Sequence, residues 1–380
     1  MPNTLNPAVN NNIALAQKFL PLLDEVYKTA SRTSILDTEE DRVRWIGAKT
    51  VNLFNIDMGG LGDYDRNAGF VRGNANGGWE PYTLNVDRGR SFSVDVMDND
   101  ETLGMAFGSL MGEFGRTREV PEVDAYRFAK YAANAGLKAT ATQVSTSTNI
   151  ANMVDEADAV MGNAEVPEDG RILFLSYEAY AALQNNITRY VENDATGINR
   201  VVESYNGKRV IKVPASRFYT GCTLNKPTGT DDFGGFTNSG ARINFMLLHP
   251  SAVLQVIKHQ IPRVFSPQEN QLVDSWMLNY RIYHDAFVKL QKKNGIYICT
   301  APISLSAAAV TITGTGTATV TVTGATGATT VASANASVAT AAISSGTVTV
   351  TGVAAGQTVV TVKDADGNTA TIQVTVNAAD

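Results

Sequence analysis

The chain has 380 residues, of which 44% are hydrophobic and 18% charged, and its formal net charge is −6. This length and composition are those of a folded protein with two or more compact domains, not of a disordered chain. The acidic balance argues against broad binding to nucleic acid or anionic lipid through a basic surface.

The N-terminal region carries no pattern of an export signal. The sequence MPNTLNPAVNNN lacks a basic region followed by an apolar core, and no run of about 18 apolar residues occurs in the chain. We therefore expect a protein that is made in the cytoplasm and is neither exported nor inserted into a membrane. Residues 10–31 are predicted to form a helix with one apolar side, interrupted at Pro21.

An extended β-hairpin is predicted next. Residues 50–54 have the pattern of a strand, and a glycine-rich stretch follows between Gly59 and Gly78. Apolar and polar residues alternate over 82–86 on the way back and again over 92–96. This pattern predicts a long hairpin with a flexible tip, followed by a further strand.

A helix is predicted after the acidic cluster DVMDNDE at 95–101, which is interpreted as an N-cap rather than as a metal site or a catalytic carboxylate pair. Its apolar stripe has spacings of four, three and four residues: Leu103, Phe107, Leu110 and Phe114. A second stripe consists of Gly104, Gly108 and Gly112. Each glycine lowers helix stability by about 1 kcal/mol relative to alanine. The glycine stripe therefore indicates either a closely packed neighbouring element or tolerated weak positions.

The region from Pro121 to residue 298 predicts a mixed α+β unit. Pro121 either begins a second helical segment or kinks the first helix, and the helical pattern ends at Gly136. Residues 149–186 have the pattern helix, strand, helix. Strands are predicted within 201–214 and 242–248, and two more within 272–298. Helices and strands mixed in this way predict the α+β class.

No residues form a recognisable catalytic or cofactor-binding motif. The sequence contains no GxSxG, P-loop, GxGxxG or HExxH pattern, and His249 and His284 are interpreted as structural. Cys222 and Cys299 lie far apart without the spacing of a zinc site or a disulfide-stapled module, and are interpreted as buried thiols. We therefore expect no enzymatic activity, no cofactor and no bound metal.

The composition changes near residue 303. All 30 aromatic residues lie at or before Tyr297, whereas the segment from Ile303 onward alternates valine and isoleucine with threonine. Such alternation predicts half-buried strands of a small β-sandwich, joined to the body by a linker at 300–308. Within KDADGN, Asp366 and Gly367 predict a tight hairpin turn, which is favoured over half of a calcium-binding loop. In ASANASVAT, GTVTVTGVAAGQTVVTV and the terminal ATIQVTV, this segment resembles bacterial immunoglobulin-like group 2 domains.

The body resembles the major capsid proteins of tailed bacteriophages, which have the Hong Kong 97 shell fold. Four stretches carry the resemblance: WEPYTLNVDRGRSFSVDVMDNDET (79–102), RILFLSYEAYAAL (171–183), INFMLLHPSAVLQVIKH (243–259) and YRIYHDAFVKLQKKNGIYI (280–298). The resemblance implies these divisions: an N-terminal arm at 1–49, an E-loop at 50–97, a peripheral domain with the spine helix at 98–144, an axial domain at 145–260, a return to the peripheral domain at 261–302 and an immunoglobulin-like domain at 303–380.

The resemblance also implies a function. It predicts self-assembly into hexamers and pentamers of an icosahedral phage head, built in the bacterial cytoplasm around double-stranded DNA that the shell does not grip. A separate scaffolding protein and a portal are expected partners. The C-terminal domain is expected outside the shell, where it binds host-surface or mucus glycans weakly. Candidate assembly residues are Trp79, Arg88, Arg90, Gly104, Gly108 and Gly112.

Three other interpretations stay open from the sequence. An encapsulin-type nanocompartment would have the same shell fold but would enclose a cargo enzyme. A bacterial surface adhesion protein would explain the immunoglobulin-like domain, although the single repeat and the absence of a signal pattern count against it. An enzyme with an accessory sugar-binding domain is the third, and the lack of a catalytic motif counts against it.

Overall fold

A computed structural model describes residues 31–38, 45–46, 49–58, 60–61, 63–64, 66–67, 75–97, 112–139, 141–145, 147–186, 202–226, 234–270, 274–365 and 367–378. The predicted helix at 10–31 lies outside these residues except for Ser31, as do Gly104, Gly108 and most of the acidic cluster. The described residues belong to two compact units. The first contains residues 36–97 and 254–287, and the second contains 31–35, 112–253 and 288–378.

The strands up to residue 300 are β1 (Trp45–Ile46), β2 (Thr50–Met58), β3 (Ala75–Thr83), β4 (Val86–Asp95), β5 (Leu137–Lys138), β6 (Ile172–Ser176), β7 (Ser204–Tyr205), β8 (Lys208–Val213), β9 (Tyr219–Leu224), β10 (Phe236–Leu248), β11 (Val253–Phe265), β12 (Ser275–Val288) and β13 (Ile296–Thr300). The α-helices are α1 (Val120–Ala133), α2 (Ile150–Asn163) and α3 (Tyr177–Asn186). Short 3-10 turns lie at Ser34–Leu36, Ala215–Arg217, Pro250–Ala252 and Leu290–Gly295.

The first unit contains the predicted hairpin, but its return strand is β3 at Ala75–Thr83 and not the predicted 82–86, so the end of the glycine-rich stretch is part of the strand. Strands β2 and β3 pair antiparallel from Thr50 opposite Thr83 to Met58 opposite Ala75, and β1 pairs with the other edge of β2. Strand β2 continues four residues beyond the predicted end at residue 54. The reason is that backbone pairing with β3 holds this segment extended.

Strand β4 follows this hairpin in the chain and pairs with a strand from a much later segment. It pairs antiparallel with β12 over ten residue pairs, and the three-stranded sheet has the order β11-β12-β4. The hydroxyl of Tyr283 donates a hydrogen bond to the carbonyl oxygen of Leu84 at 3.1 Å. Val51 and Leu84 pack with Leu254 in one buried cluster. Residues from the hairpin and from the later strands therefore share one small core.

The second unit is built on a seven-stranded mixed sheet. The strand order is β5-β13-β10-β6-β8-β7, with β9 pairing to β10. Strands β6 and β8 are parallel, and α3 lies between them in the chain. The five residues of β6 are all buried, as expected for a strand covered on both faces. The predicted helix, strand, helix pattern of residues 149–186 is confirmed, and Asn149 caps α2 by accepting a hydrogen bond from the N–H of Asn152.

Strand β13 lies in this mixed sheet, although the sequence-based division groups residues 261–302 with the peripheral domain. It pairs antiparallel with β10, with Met246 opposite Ile298. All five of its residues are buried. A strand that is apolar on both faces needs cover on both sides, and this sheet, with its helices, supplies that cover.

Helix α1 is preceded by a π-helical turn at Gly115–Glu119, where the N–H of Val120 donates to the carbonyl oxygen of Gly115. The turn ends just before Pro121, whose ring nitrogen has no N–H to donate, so the regular hydrogen-bond ladder is interrupted at this point. Pro121 lies in the first turn of α1, as predicted. The aromatic ring of Phe128 packs edge-on against those of Phe174 and Phe218, with centroids 5.3 and 4.9 Å away, and attaches α1 to the sheet.

The C-terminal β-unit (residues 303–378) consists of two four-stranded sheets. Its strands are β14 (Ser304–Leu305), β15 (Ala309–Thr313), β16 (Thr317–Thr323), β17 (Thr330–Ser333), β18 (Ala339–Ser344), β19 (Thr347–Gly352), β20 (Gly356–Lys363) and β21 (Thr369–Asn377). The sheet orders are β14-β16-β19-β18 and β15-β21-β20-β17. Valine and isoleucine side chains from both sheets form one buried core, with Val348 and Val360 fully buried. Small β-branched side chains are therefore enough to fill this interior.

The connection to the C-terminal β-unit is shorter than the linker predicted at 300–308. Thr300 is the last residue of β13, and Ile303 is already buried in the core of the β-unit. Only Ala301 and Pro302 lie between them. The alternating pattern begins late because β14 has two residues, which is too short to be recognised in sequence.

The KDADGN turn joins β20 to β21, and Gly367 has a φ of +88°. Asp366 lies outside the described residues. The carboxylate of Asp364 accepts hydrogen bonds from the N–H groups of Asn368 and Thr326 at 2.9 and 3.1 Å. Asp364 thus acts as a buried turn-stabilising acceptor, in agreement with the predicted hairpin turn.

Gly136, just after α1, lies close to the backbone of Lys293 and Asn294, and a substitution at Gly136 tests how tightly these two segments pack. A methyl group there would lie 2.7 Å from the carbonyl carbon of Lys293 and 2.8 Å from the nitrogen of Asn294. Gly136→Ala should lower the free energy of unfolding by about 1–3 kcal/mol, because backbone atoms cannot move aside cheaply. Gly162→Ala in α2 is the control, since a methyl group there meets nothing within 4 Å. It should be neutral or stabilising by up to about 1 kcal/mol in urea denaturation. The reverse ranking would contradict this packing.

Candidate assembly interface

The hairpin exposes large apolar side chains to solvent. Met58 and Trp79 are 71% and 54% exposed, and Leu61 and Tyr64 beyond the end of β2 are also exposed. We call these four residues the hairpin surface. Apolar and aromatic side chains gathered in this way are typical of surfaces that contact another protein.

Arg88 and Arg90 lie on β4, where they alternate with exposed Asp87 and Gly89 and are themselves half-buried. Their backbone partners on β12 are Ile282 and Tyr280. The structure thus places both arginines on the strand that follows the hairpin, on the less exposed face of the sheet. Because each side chain is half-buried, only part of it could contact another molecule.

An exposed ion pair lies on the opposite face of the same sheet. Arg281 on β12 donates through Nε to Oδ1 of Asp87 at 2.8 Å and through Nη2 to the second carboxylate oxygen. The hydrogen bond from Arg281 holds the pKa of Asp87 below its ordinary value. At Gly89, a methyl group would lie 2.9 Å from the carbonyl oxygen of Tyr280. The pairing of β4 with β12 therefore needs a glycine at this position.

A buried carboxylate on α1 fixes residues 31–33, which lie far earlier in the chain, against the helix. Asp124 is completely buried and accepts hydrogen bonds from the hydroxyls of Ser31 and Thr33, each at 2.7 Å, and from the N–H of Arg32 at 2.9 Å. Arg217 donates to its other oxygen at 3.2 Å. We call Asp124 with residues 31–33 and Arg217 the N-terminal anchor. A buried carboxylate with this many donors positions the segment on the helix.

Sequence analysis did not identify this anchor. One signal was available. Asp124 and Arg127 are three residues apart and both fall on the stripe that also carries buried Phe128. Opposite charges on the apolar face of a helix are seldom buried unless they are paired.

A second buried network holds the loop between α2 and β6. Arg171 is almost completely buried and donates to the carbonyl oxygen of Pro167 at 2.8 Å and to Asp158. Lys208 pairs with the same carboxylate at 2.9 Å. The two basic side chains thus share the Asp158 carboxylate, and this pairing links α2 with the loop before β6 and with β8.

Histidine, cysteine and aspartate are residue types that catalytic sites use, and three of them are held in the fold by hydrogen bonds or by burial: His249, Cys299 and Asp285. His249 has its ring nitrogens within hydrogen-bond distance of the Ser251 hydroxyl and the Asp169 carbonyl oxygen, and burial lowers its pKa. Burial raises the pKa of Cys299 to about 11, so its thiol is protonated at neutral pH. Asp285 accepts from the N–H groups of Asn85 and Ala286.

Two further observations apply to the described ranges. Within them, no group of three histidine, cysteine, aspartate or glutamate side chains could hold a metal ion. No helix in the same part of the chain is long and apolar enough to cross a membrane.

Of the predicted glycine stripe, only Gly112 is among the described residues. A methyl group at this position would meet nothing within 4 Å. Among the described residues, therefore, none packs closely against Gly112. The role of Gly104 and Gly108 in assembly stays a prediction.

No protein-family model and no curated protein matches the chain. Among solved structures, the mature capsid of bacteriophage PhiM1 matches 67% of this chain and 82% of its own, with a TM-score of 0.50 and 13% identity. A structure from Mycobacterium phage Che8 matches 66% of this chain and 84% of its own, with a TM-score of 0.48 and 14% identity. A virus-like particle from Pyrococcus furiosus matches 74% and 98%, with a TM-score of 0.43 and 10% identity. The PhiM1 match shows that about two thirds of the chain has the fold of a phage capsid protein, which confirms this part of the predicted fold.

We expect that replacing one carboxylate oxygen of Asp124 in the N-terminal anchor strongly lowers the stability of the protein. Asp124→Asn replaces a carboxylate oxygen with an amide group, whose hydrogens then face the donors of Ser31 or Arg217. We expect the free energy of unfolding to fall by about 3–5 kcal/mol and residues 31–33 to become sensitive to protease.

Asp87→Asn is the matched control for this substitution, because the same chemical change is made in an exposed ion pair. It should cost no more than about 1 kcal/mol. Because the pKa of Asp87 is lowered in the folded protein, this small contribution is present at neutral pH and is lost as the pH falls below the ordinary carboxyl pKa and through the lowered one. Equal losses in both variants would contradict the anchor.

Proposed function

We propose that this chain is the major capsid protein of a tailed bacteriophage, which self-assembles into hexamers and pentamers of an icosahedral head around double-stranded DNA. The observation that carries the proposal is the fold shared with the PhiM1 mature capsid over 82% of that chain. The role is structural and not enzymatic.

The hairpin surface supports self-assembly. Trp79 and Met58 present apolar area on a two-stranded hairpin that is itself too thin to bury it. We assign this surface to contact with a second copy of the chain, since obligate assemblies bury roughly 2,000 Å² or more per interface and are rich in apolar contacts. Trp79 is the proposed centre of this contact.

The charge of the chain supports the container role. A shell with a net charge of −6 per subunit has no general attraction for phosphate, so packaged DNA remains mobile inside it. We propose that assembly takes place in the bacterial cytoplasm with a separate scaffolding protein and a portal, and that the finished protein resides in the virion.

The C-terminal β-unit is proposed to be an immunoglobulin-like domain on the outside of the shell. Its faces are rich in threonine, and its described charges are Lys363 and Asp364. Weak contacts to host-surface or mucus glycans become effective when many copies engage one surface at once. The unit would therefore serve adhesion without taking part in shell closure.

Electron microscopy tests the proposal and separates it from its alternatives. The protein is expressed alone and together with its neighbouring genes, and the particles are imaged. Closed shells that contain DNA in infected cells are expected. Shells that enclose a cargo protein would identify an encapsulin-type compartment instead. Protein that stays unassembled under both conditions would favour a surface adhesion protein.

The absence of lysine from residues 50–129 predicts that the shell lacks covalent crosslinks through the hairpin. An isopeptide bond requires a lysine amine, and the hairpin has none to offer. Boiling purified shells in detergent should therefore release monomers only. A ladder of covalent oligomers on the gel would overturn this prediction.

Truncation tests the proposed role of the C-terminal β-unit. The chain should end after Pro302, because Ile303 belongs to the core of the unit. We expect closed shells with a smoother outline in cryo-electron micrographs and weaker adsorption to mucin-coated surfaces. Failure of the truncated chain to assemble would mean that the unit clamps neighbouring subunits together.

A further inference from the structure

The C-terminal β-unit and the mixed sheet enclose a cleft of about 630 Å³ within the second compact unit. One wall is formed by residues 219–221 on β9 and residues 238–240 on β10. The other wall is formed by the loop at 323–329 and the turn at Gly346. This volume falls within the range of small-molecule sites, about 300–1,000 Å³.

The two walls are held in place by short connections. Only Ala301 and Pro302 join β13 to the β-unit, and the N–H of Ala301 donates to the carbonyl oxygen of Arg242 at 2.8 Å. The proline fixes φ, so this connection has little freedom. A site with walls restrained in this way loses little entropy when a ligand binds.

A direct contact also crosses the base of the cleft. The hydroxyls of Thr220 and Thr326 lie 3.4 Å apart. Thr326 is itself positioned by buried Asp364, which accepts a hydrogen bond from its N–H at 3.1 Å. The KDADGN turn therefore holds the loop that forms one wall.

The chemistry of the lining restricts the ligand. None of the described residues that line the cleft carries a charge. Hydroxyl and amide groups come from both walls: Thr220, Asn238, Ser239, Thr326 and Thr329. Tyr219 adds a partly exposed aromatic ring. Serine and threonine hydroxyls both donate and accept hydrogen bonds, so they suit a ligand with many hydroxyls of its own.

We propose that this cleft binds a neutral carbohydrate, a short oligosaccharide whose hydroxyls pair with the serine, threonine and asparagine side chains and whose apolar face packs on Tyr219. An anionic ligand would need a cationic partner, which the lining lacks. The inference rests on the proposed adhesive role of the C-terminal β-unit, and it places the binding site in the cleft instead of on the outer faces of the two sheets.

Saturation-transfer NMR on the full chain tests this inference. The neutral probes are lactose, maltotriose and triacetylchitotriose, and the acidic probe is 3′-sialyllactose, which is lactose with one carboxylated sugar added. We expect millimolar binding of at least one neutral probe and weaker binding of sialyllactose than of lactose. The double variant Ser239→Ala/Thr329→Val removes one hydroxyl from each wall and should weaken binding about fivefold or more.

Thr371→Val is the matched control, since Thr371 is exposed on β21 of the same β-unit and does not line the cleft. It should bind like the unchanged protein. The inference is overturned if no neutral probe binds, if the double variant binds as well as the control, or if sialyllactose binds as tightly as lactose.

Shell closure is scored by electron microscopy on the same preparations, because sugar binding and assembly can fail separately. Closed shells without sugar binding would contradict the cleft site but not the capsid role. Sugar binding by a protein that forms no shells would contradict the capsid role but not the cleft site.

Discussion

The antiparallel ladder between β4 and β12 is the contact on which the candidate assembly surface depends. It joins residues such as Asp87 and Arg281, which are 194 positions apart in the chain. Bringing such distant segments together carries a loop-closure entropy cost, which the ten paired positions and the small shared core offset. The hairpin has only two long strands of its own, and an isolated two-stranded hairpin is marginally stable. Without the ladder, Trp79 and Met58 would have no defined position.

Buried charges fix position in the second unit. Asp124 binds residues 31–33 to α1, and Arg171 with Asp158 holds the loop before β6. Burying such groups costs desolvation energy, so their net contribution to stability is smaller than their number of hydrogen bonds suggests. Their effect is specificity, because a displaced segment would leave a buried charge without its partners.

The body and the C-terminal β-unit differ in amino-acid composition, and their exposed surfaces differ in the same way. The body concentrates aromatic and apolar side chains on the hairpin surface, where contact with an identical chain would cover them. The C-terminal β-unit exposes threonine instead, and its interior is filled by valine and isoleucine without any aromatic ring. A surface of hydroxyls does not aggregate through apolar contact, and it retains the capacity for weak polar binding. The short connection at Ala301 and Pro302 makes the orientation of this unit a property of the fold and not of a flexible tether.

The sequence by itself determined the elements whose pattern is local. The helix, strand, helix order of residues 149–186, the place of Pro121 in the first turn of α1, the presence of a hairpin after residue 50 and the turn at Gly367 all follow from periodicity, capping and turn residues. The tertiary structure alone decided which partner covers each apolar face. It placed β13 beside β10, buried Asp124 and half-buried Arg88, and reduced the linker to two residues. The physical reason is that the alternation of apolar and polar side chains shows which face of a helix or strand is buried. Which other helix or strand packs on that face depends on contacts between segments that are far apart in the chain.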